Sequence, residues 1–273
     1  MNYLHIITNE FKGGSCLNYP PRNFNWIFNK YPTNNQPVVY FNSAIEFGVN
    51  DSYPGPKYGW LGESSELSND IITHLKNIKH ILKQKYKKIF VNDLRIIELD
   101  KDLFFYNPPA SNMPWIILPQ IYPKKKLCSY ITTFKGHTSG HKIRLSVYEQ
   151  IKKNPIFRGN IFGKPHNPID DKLTGLKDYM FSIVIENSRY SKYYTEKVTD
   201  CFATGTIPVY YGDKSICEDF DENGIIFINE KLDLSTLNPD LYYSKSKSVE
   251  NNYAKVLYLE TADDCIYEKI KND

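Results

Sequence analysis

No stretch of the chain approaches the roughly 18 apolar residues that a membrane-spanning helix needs, so no transmembrane segment is expected. Cysteine is scarce. The five, at positions 16, 128, 201, 217 and 265, are odd in number and scattered, with no C-x-x-C. That pattern excludes a disulfide scaffold and a cysteine zinc site, and it fits a reducing, cytoplasmic setting. Residues 1–10 (MNYLHIITNE) lack a basic leader and a long apolar stretch, so no signal peptide is expected. Charge of one sign is also lacking: the net is +3, spread along the chain. The lysine run 124–126 is the only basic cluster that would favour nucleic acid, and such runs are usually solvated surface. Internal repeats and low-complexity tracts are absent. What remains is a globular composition, 41% hydrophobic and 24% charged over 273 residues. That length allows one large domain or two small ones, and folding buries roughly 70–75% of the unfolded surface. The 22 tyrosines read as coding bias rather than chemistry.

Short apolar runs at 4–8, 38–41, 58–61, 87–92, 104–106 and 115–118 read as strands. Between them, Ile71, Ile72, Leu75, Ile78, Ile81 and Leu82 keep helical spacing, with Ser68, Asn69 and Asp70 as candidate caps. Residues 119–126 (PQIYPKKK) form the candidate boundary, giving domains 1–122 and 123–273. The pattern then restarts. Residues 127–133 read as a strand, 136–141 (GHTSGH) as a polar turn, and Ile143, Leu145, Val147, Tyr148 and Ile151 as a helix ended by Asn154-Pro155. Residues 179–187 are almost continuously apolar, as a central parallel strand should be. A helix over 195–204 ends at Gly205, and 206–212 is the next strand. The expected class is α/β, in two Rossmann-like halves facing across a cleft.

One segment carries the chemistry: YMFSIVIENSRYSKYYTEKVTDCFATGTIPVYYGD, residues 179–213. A buried strand delivers Glu186 and Asn187 at its C-terminal end, where ligands of open α/β sheets bind. A helix then opens at Thr195-Glu196-Lys197. Its free N–H groups and dipole attract phosphate, and Lys197 adds a full charge. The plainer reading makes Glu196 a helix cap and Lys197 a solvated side chain.

This segment resembles the signature of the α-1,3-fucosyltransferases, glycosyltransferase family 10. Their pattern is a strand ending in F-E-N, a spacer, Y-x-T-E-K, a helix, and a strand like I-P-[IV]-[YV]-[WY]-G. Here Ile185-Glu186-Asn187, Tyr193-Tyr194-Thr195-Glu196-Lys197 and the run 207–212 stand in that order, with Ile185 where Phe is usual. Upstream, Ile143-Arg144 and Tyr148 resemble the family's I-R-x-x-x-Y element. Gly159-Asn160 stand near the place of a Gly-rich turn. Residues 60–64 (WLGES) are similar to Y-T-G-E-N in the acceptor domain.

The resemblance implies the GT-B architecture, with the acceptor toward the N-terminal domain and the nucleotide-sugar donor in the C-terminal one. It implies transfer of L-fucose from GDP-β-L-fucose, with inversion, to a hydroxyl of an oligosaccharide or glycoconjugate. Glu63 is carried over as the catalytic base, with Glu66 as the nearby competitor. Arg144 and Lys197 are carried over to the diphosphate, and Asn187, Tyr193 and Glu196 as further donor contacts. No cofactor beyond the GDP-sugar co-substrate is expected, nor a divalent metal, a nucleic-acid partner or a membrane span. With animal relatives anchored in the Golgi, an unanchored chain is expected to be a cytoplasmic enzyme of bacterial or viral type. Residues 100–102 and 219–221 fit D-x-D, but so short a motif arises by chance. His137 and His141 stand four apart, yet Ser139 and Gly140 between them indicate a loop near the donor pocket. Tyr210 and Tyr211 read as packed strand residues. Two other readings stay open: the same fold with a different nucleotide-sugar, and a non-catalytic glycan-binding domain.

Overall fold

The computed structural model describes residues 2–10, 20–67, 70–154, 157, 159–164 and 167–273. Cys16, Ser68, Asn69 and Pro155 lie outside the described residues. The chain divides into two units, residues 1–112 with 260–273, and residues 113–259.

The first unit carries β1 (Tyr3–Ile7), β2 (Asn25–Phe28), β3 (Val38–Phe41), α1 (Ala44–Asn50), β4 (Lys57–Leu61), α2 (Ile71–Lys85), β5 (Lys88–Val91), α3 (Leu94–Ile97) and β6 (Phe104–Tyr106). Its sheet runs β2-β1-β3-β4-β5-β6, and every pairing is parallel. Both faces are covered, and the alternation of side chains along a strand divides them. Val38 and Tyr40 join one buried cluster with Leu75 and Leu82 of α2, while Val39 and Phe41 join the other with Trp60. Helix α2 forms where the spacing predicts it, and Lys83 and Lys85 in its last turn suit the negative end of the dipole.

The second unit repeats the plan with β7 (Lys126–Ile131), α4 (Ser139–Lys153), β8 (Gly159–Phe162), β9 (Tyr179–Ile185), α5 (Glu196–Thr204), β10 (Ile207–Tyr211) and β11 (Ile226–Phe227), followed by α6 (Pro239–Ser244) and α7 (Ser246–Leu257). Its sheet runs β11-β10-β9-β7-β8, again all parallel. Strand β9 is buried along its whole length. Phe181, Ile183 and Ile185 pack with Val147 and Tyr148 of α4, whereas Val184 packs with Val198 and Phe202 of α5. Helix α5 ends in a Schellman motif: Thr206 N–H donates to Cys201 O (2.9 Å) and Gly205 N–H to Phe202 O (3.2 Å). Gly205 has φ 69°, a left-handed conformation that glycine adopts without a Cβ penalty. Within each sheet the first strand sits between the second and the third, so the strand order reverses beside it. Ligands of doubly wound folds bind at that point, outside the carboxyl ends of the strands. The expected α/β class with two Rossmann-like units is what the chain adopts.

The structure departs from the sequence reading in several places. Its division falls after Asn112, not after residue 122, and α8 (Ala262–Lys271) returns to the first unit. The cause is apolar: Ala262, Ile266 and Ile270 bury themselves with Leu4, Ile6, Phe24 and Trp60. Residues 115–118 are not a strand. The Trp115 and Ile116 N–H groups donate to Asp200 Oδ1 (2.5 and 3.2 Å), which takes them out of any ladder. Gly159 and Asn160 open strand β8 rather than forming a turn. His141 lies in helix, not loop, because Thr138 caps α4 and starts it at Ser139. Lys124 also departs from a solvated run. Its ammonium donates to Thr204 O (2.8 Å), Thr206 Oγ1 (2.9 Å) and Lys177 O (3.2 Å), tying down the end of α5. Burial pushes its pKa down to about 7.

Candidate functional site

In the second unit the site is built where β9 ends and α4 and α5 begin. Glu186, the first residue past β9, is fully buried. Its carboxylate accepts the Thr195 N–H (3.0 Å) and the Thr195 hydroxyl (2.7 Å), and Lys197 Nζ stands 3.6 Å away. Thr195 is the N-cap of α5. Having donated its one proton to Glu186, its Oγ1 accepts from Lys197 N (3.4 Å) and from Lys197 Nζ (2.9 Å). Glu186 is therefore a strut that fixes the start of the helix and the root of Lys197.

Helix α4 approaches the same strand end from the other side. A Cβ on Gly140 would lie 1.9 Å from Glu186 O and 2.7 Å from Asn187 O, so only glycine lets the first turn come this close. Gly140 N–H donates to Asn187 O (3.1 Å). One turn on, the buried Arg144 donates from Nε and from a terminal nitrogen to Ile185 O (3.0 and 2.8 Å). Asn187 Oδ1 accepts the Tyr193 hydroxyl (2.6 Å), whose ring lies 4.6 Å from that of Tyr190. His141 Nδ1 accepts the Thr138 N–H (3.2 Å), which leaves the ring proton on Nε2 of the neutral imidazole. Burial, then the charges of Arg144, Lys135, His137 and Lys197, hold its pKa down at about 4.

Arg144, Lys197 and Glu196 line one cavity of about 150 Å3, together with Thr132, Lys172 and Asp200. That is about the size of the engineered cavity that holds a benzene ring. Thr132 Oγ1 is buried there without a hydrogen-bond partner among the described residues. Glu196 accepts from Lys197 (3.2 Å) and Lys172 (3.3 Å), and Asp200 accepts from Lys172 (2.9 Å). Burial alone would push both carboxyls up. For Glu196 the adjacent Lys197 and Lys172 outweigh it and hold the pKa down at about 2. For Asp200 burial prevails over Lys172, with Glu196 adding to it, and the pKa rises to about 6.

Of the expected donor residues, Arg144, Glu196 and Lys197 meet at this cavity. Asn187 and Tyr193 are joined to each other beside it and are not among its lining residues. Lys172, Asp200 and Gly140 were not singled out from the sequence. Asp200 had a signal, standing four residues after Glu196 and so on the same helix face. Lys172 had none, since its segment carries no periodicity.

In the first unit Glu63 follows β4 and is exposed. The Asn92 amide fixes its loop by donating to Gly62 O and Glu63 O (3.0 Å each). Gly62 N–H donates to Asn42 Oδ1 (2.9 Å), and the Asn42 amide donates to Glu10 (2.8 Å). Glu63 lines a cavity of about 540 Å3 with Glu10, Asn42, Glu46 and His74 over an apolar floor that includes Leu61 and Val91. Glu66, its competitor, sits in the 3-10 turn Ser65–Leu67 and is not among the lining residues. The D-x-D candidates have structural partners. Asp100 and Asp102 pair with Lys83 (2.9 and 3.2 Å), Asp219 accepts from Tyr194 (3.1 Å), and Asp221 caps a 3-10 turn.

No helix among the described residues is long and apolar enough to cross a membrane. The family model described as glycosyltransferase family 10 (fucosyltransferase), C-terminal, matches residues 122–241. The α-(1,3)-fucosyltransferase FucT of Helicobacter pylori is 29% identical over 103 residues, 36% of this chain and 21% of that protein. The chain thus spans about a fifth of that relative's length. Among solved structures, an α1,3-fucosyltransferase with GDP has a TM-score of 0.52 at 14% identity, covering 99% of this chain and 88% of that one. HepE of Anabaena, in complex with UDP, has a TM-score of 0.60 at 9% identity and full coverage of both chains. At these identities the structural likeness concerns the fold. Arg144, Glu186, Asn187, Tyr193, Glu196 and Lys197 all lie within the residues that match the glycosyltransferase family 10 C-terminal model.

Proposed function

We propose that the chain is an inverting glycosyltransferase that moves L-fucose from GDP-fucose to a glycan hydroxyl, with no divalent metal. One observation carries this reading: Arg144, Lys197 and Glu196 converge on one cavity at the strand-order reversal within the residues that match the family 10 model. The guanidinium grips the diphosphate, Lys197 adds a point charge, and the start of α5 supplies further N–H groups. Two side-chain cations and a helix terminus do the neutralising that a metal does elsewhere. The sugar ring lodges against Glu196, whose buried carboxylate stays ionised and offsets positive charge growing at the anomeric carbon. Glu63 takes the proton of the acceptor hydroxyl. The acceptor oxygen then bonds to the anomeric carbon as the bond to the diphosphate breaks, and the leaving electron pair stays on the phosphate oxygen. Losing one such electrostatic contact costs on the order of 10²–10³ in kcat.

The test is a thermal-shift panel of GDP, UDP, GDP-fucose, GDP-mannose and UDP-sugars, with and without Mn²⁺. A ligand that binds only the native state adds about 2.7 kcal/mol at 100 times its Kd. A GDP-selective, metal-independent shift is expected. A UDP-selective or metal-dependent shift overturns the donor assignment, and no shift with any nucleotide overturns catalysis by this site.

A further inference from the structure

Glu196 and Asp200 stand four residues apart on α5, face the same side, and are both buried. Two buried carboxylates so placed disfavour each other's ionisation. Lys172, from the 3-10 turn Lys172–Gly175, reaches between them, 3.3 Å from Glu196 and 2.9 Å from Asp200. Its ammonium lies 4.0 Å from the centre of the Trp115 ring, which closes off another side. Asp200 in turn holds Trp115 and Ile116 by their backbone N–H groups, so the lysine's seat and its counter-ion are one assembly.

The geometry points to Lys172 as a positioning residue for donor-sugar recognition: shared between Glu196 and Asp200, it holds the Glu196 carboxylate aimed into the cavity. This rests on the donor reading above. The other charged groups facing Glu196 do not substitute for it. Lys197 is divided among Thr195, Glu186 and Glu196, and in the donor complex it turns to the diphosphate. Arg144, from α4, is bound to Ile185 O, and Glu186 adds negative charge. His141 is neutral. Lys172 pairs with both α5 carboxylates. Without it, an ionised Asp200 repels Glu196 with no cation between them, and the Glu196 carboxylate loses its aim at the sugar hydroxyls.

Calorimetric titration of the whole protein with GDP and with GDP-fucose, from pH 5 to 8, tests this. The ratio of the two dissociation constants isolates the sugar's contribution. In wild type the ratio is flat with pH. In Lys172→Met the ratio falls roughly tenfold or more at the alkaline end, where Asp200 is ionised, and recovers toward pH 5. Lys172→Arg keeps the wild-type profile. Lys172→Met with Asp200→Asn removes the repelling carboxylate, retains Oδ1 for Trp115 and Ile116, and restores a flat ratio. A merely structural lysine would not give that pattern. A Lys172→Met ratio that is flat at the wild-type value overturns this inference alone, as does a double variant that keeps the alkaline-end loss. Wild-type protein that binds neither nucleotide overturns the donor reading and this inference with it.

Discussion

Thr195→Val keeps the shape of the side chain and removes one hydroxyl, so it isolates what that oxygen does. The hydroxyl donates to the buried Glu186 carboxylate and accepts from the backbone and the ammonium of Lys197. Losing an N-cap costs about 0.5–2 kcal/mol. Losing a hydrogen bond to a charged group costs about 1.5–3 kcal/mol. The two together come to about 3 kcal/mol. At about 2–4 °C per kcal/mol for a domain near this size, the melting temperature falls by roughly 6–12 °C. Thr195→Ser keeps the oxygen and stays within about 1 kcal/mol of wild type. Lys197 also loses its 2.9 Å tether, so GDP affinity falls in the valine variant and not in the serine one. Differential scanning calorimetry with a GDP titration reads both. A valine variant that melts within about 2 °C of wild type refutes the role given to Thr195 and Glu186.

Arg144→Ala and Lys197→Ala each weaken GDP binding by roughly tenfold to a hundredfold, the worth of one charge-assisted contact. Near-wild-type affinity in both, by calorimetry, would remove the diphosphate from this cavity. Glu63→Gln leaves GDP binding intact and lowers transfer at least a hundredfold; normal turnover in a glycan-acceptor assay would move the base elsewhere. A separate pH effect is expected at Asp263 in α8. Burial pushes its carboxyl up from the ordinary 3.8 to about 6, despite the hydrogen bond from Trp26 Nε1 (2.6 Å). The native state then holds its proton more tightly than the unfolded chain. The stabilisation is complete below pH 4 and is lost as pH rises through 6. Urea denaturation across pH 4–7 should show that slope in wild type and a flatter one in Asp263→Asn; equal slopes would mean that Asp263 does not titrate there.

Legibility followed the range of the forces involved. Strand β9 was readable because a strand buried on both faces is apolar at every position. The limits of α5 were readable because Thr195 and Gly205 act on backbone groups within one turn. Arg144 and Lys197 came from the family resemblance laid over that local pattern. Residues 115–118 have the composition of a strand, yet their N–H groups are claimed by a carboxylate about 85 positions on, which no local pattern encodes. Lys124 is indistinguishable from its two neighbours until the end of α5 comes to meet it. Helix α8 was missed because its partners, Leu4 and Trp60 among them, lie at the other end of the chain. The pairing of Lys172 with Glu196 and Asp200 is of the same kind.

The return of α8 to the first unit makes the second unit an insert. The chain leaves its host fold after Asn112 and re-enters it at Glu260, and the Asn112 amide donates to Glu260 O (2.9 Å), so exit and re-entry are stapled side by side. A host cut at residue 112 would lack the helix that covers Trp60, whereas the inserted span 113–259 is continuous. Excision and grafting are therefore asymmetric: the inserted span can be lifted out whole or exchanged for another at the Asn112–Glu260 junction, while the part that bears Glu63 can be made only by closing the gap behind it.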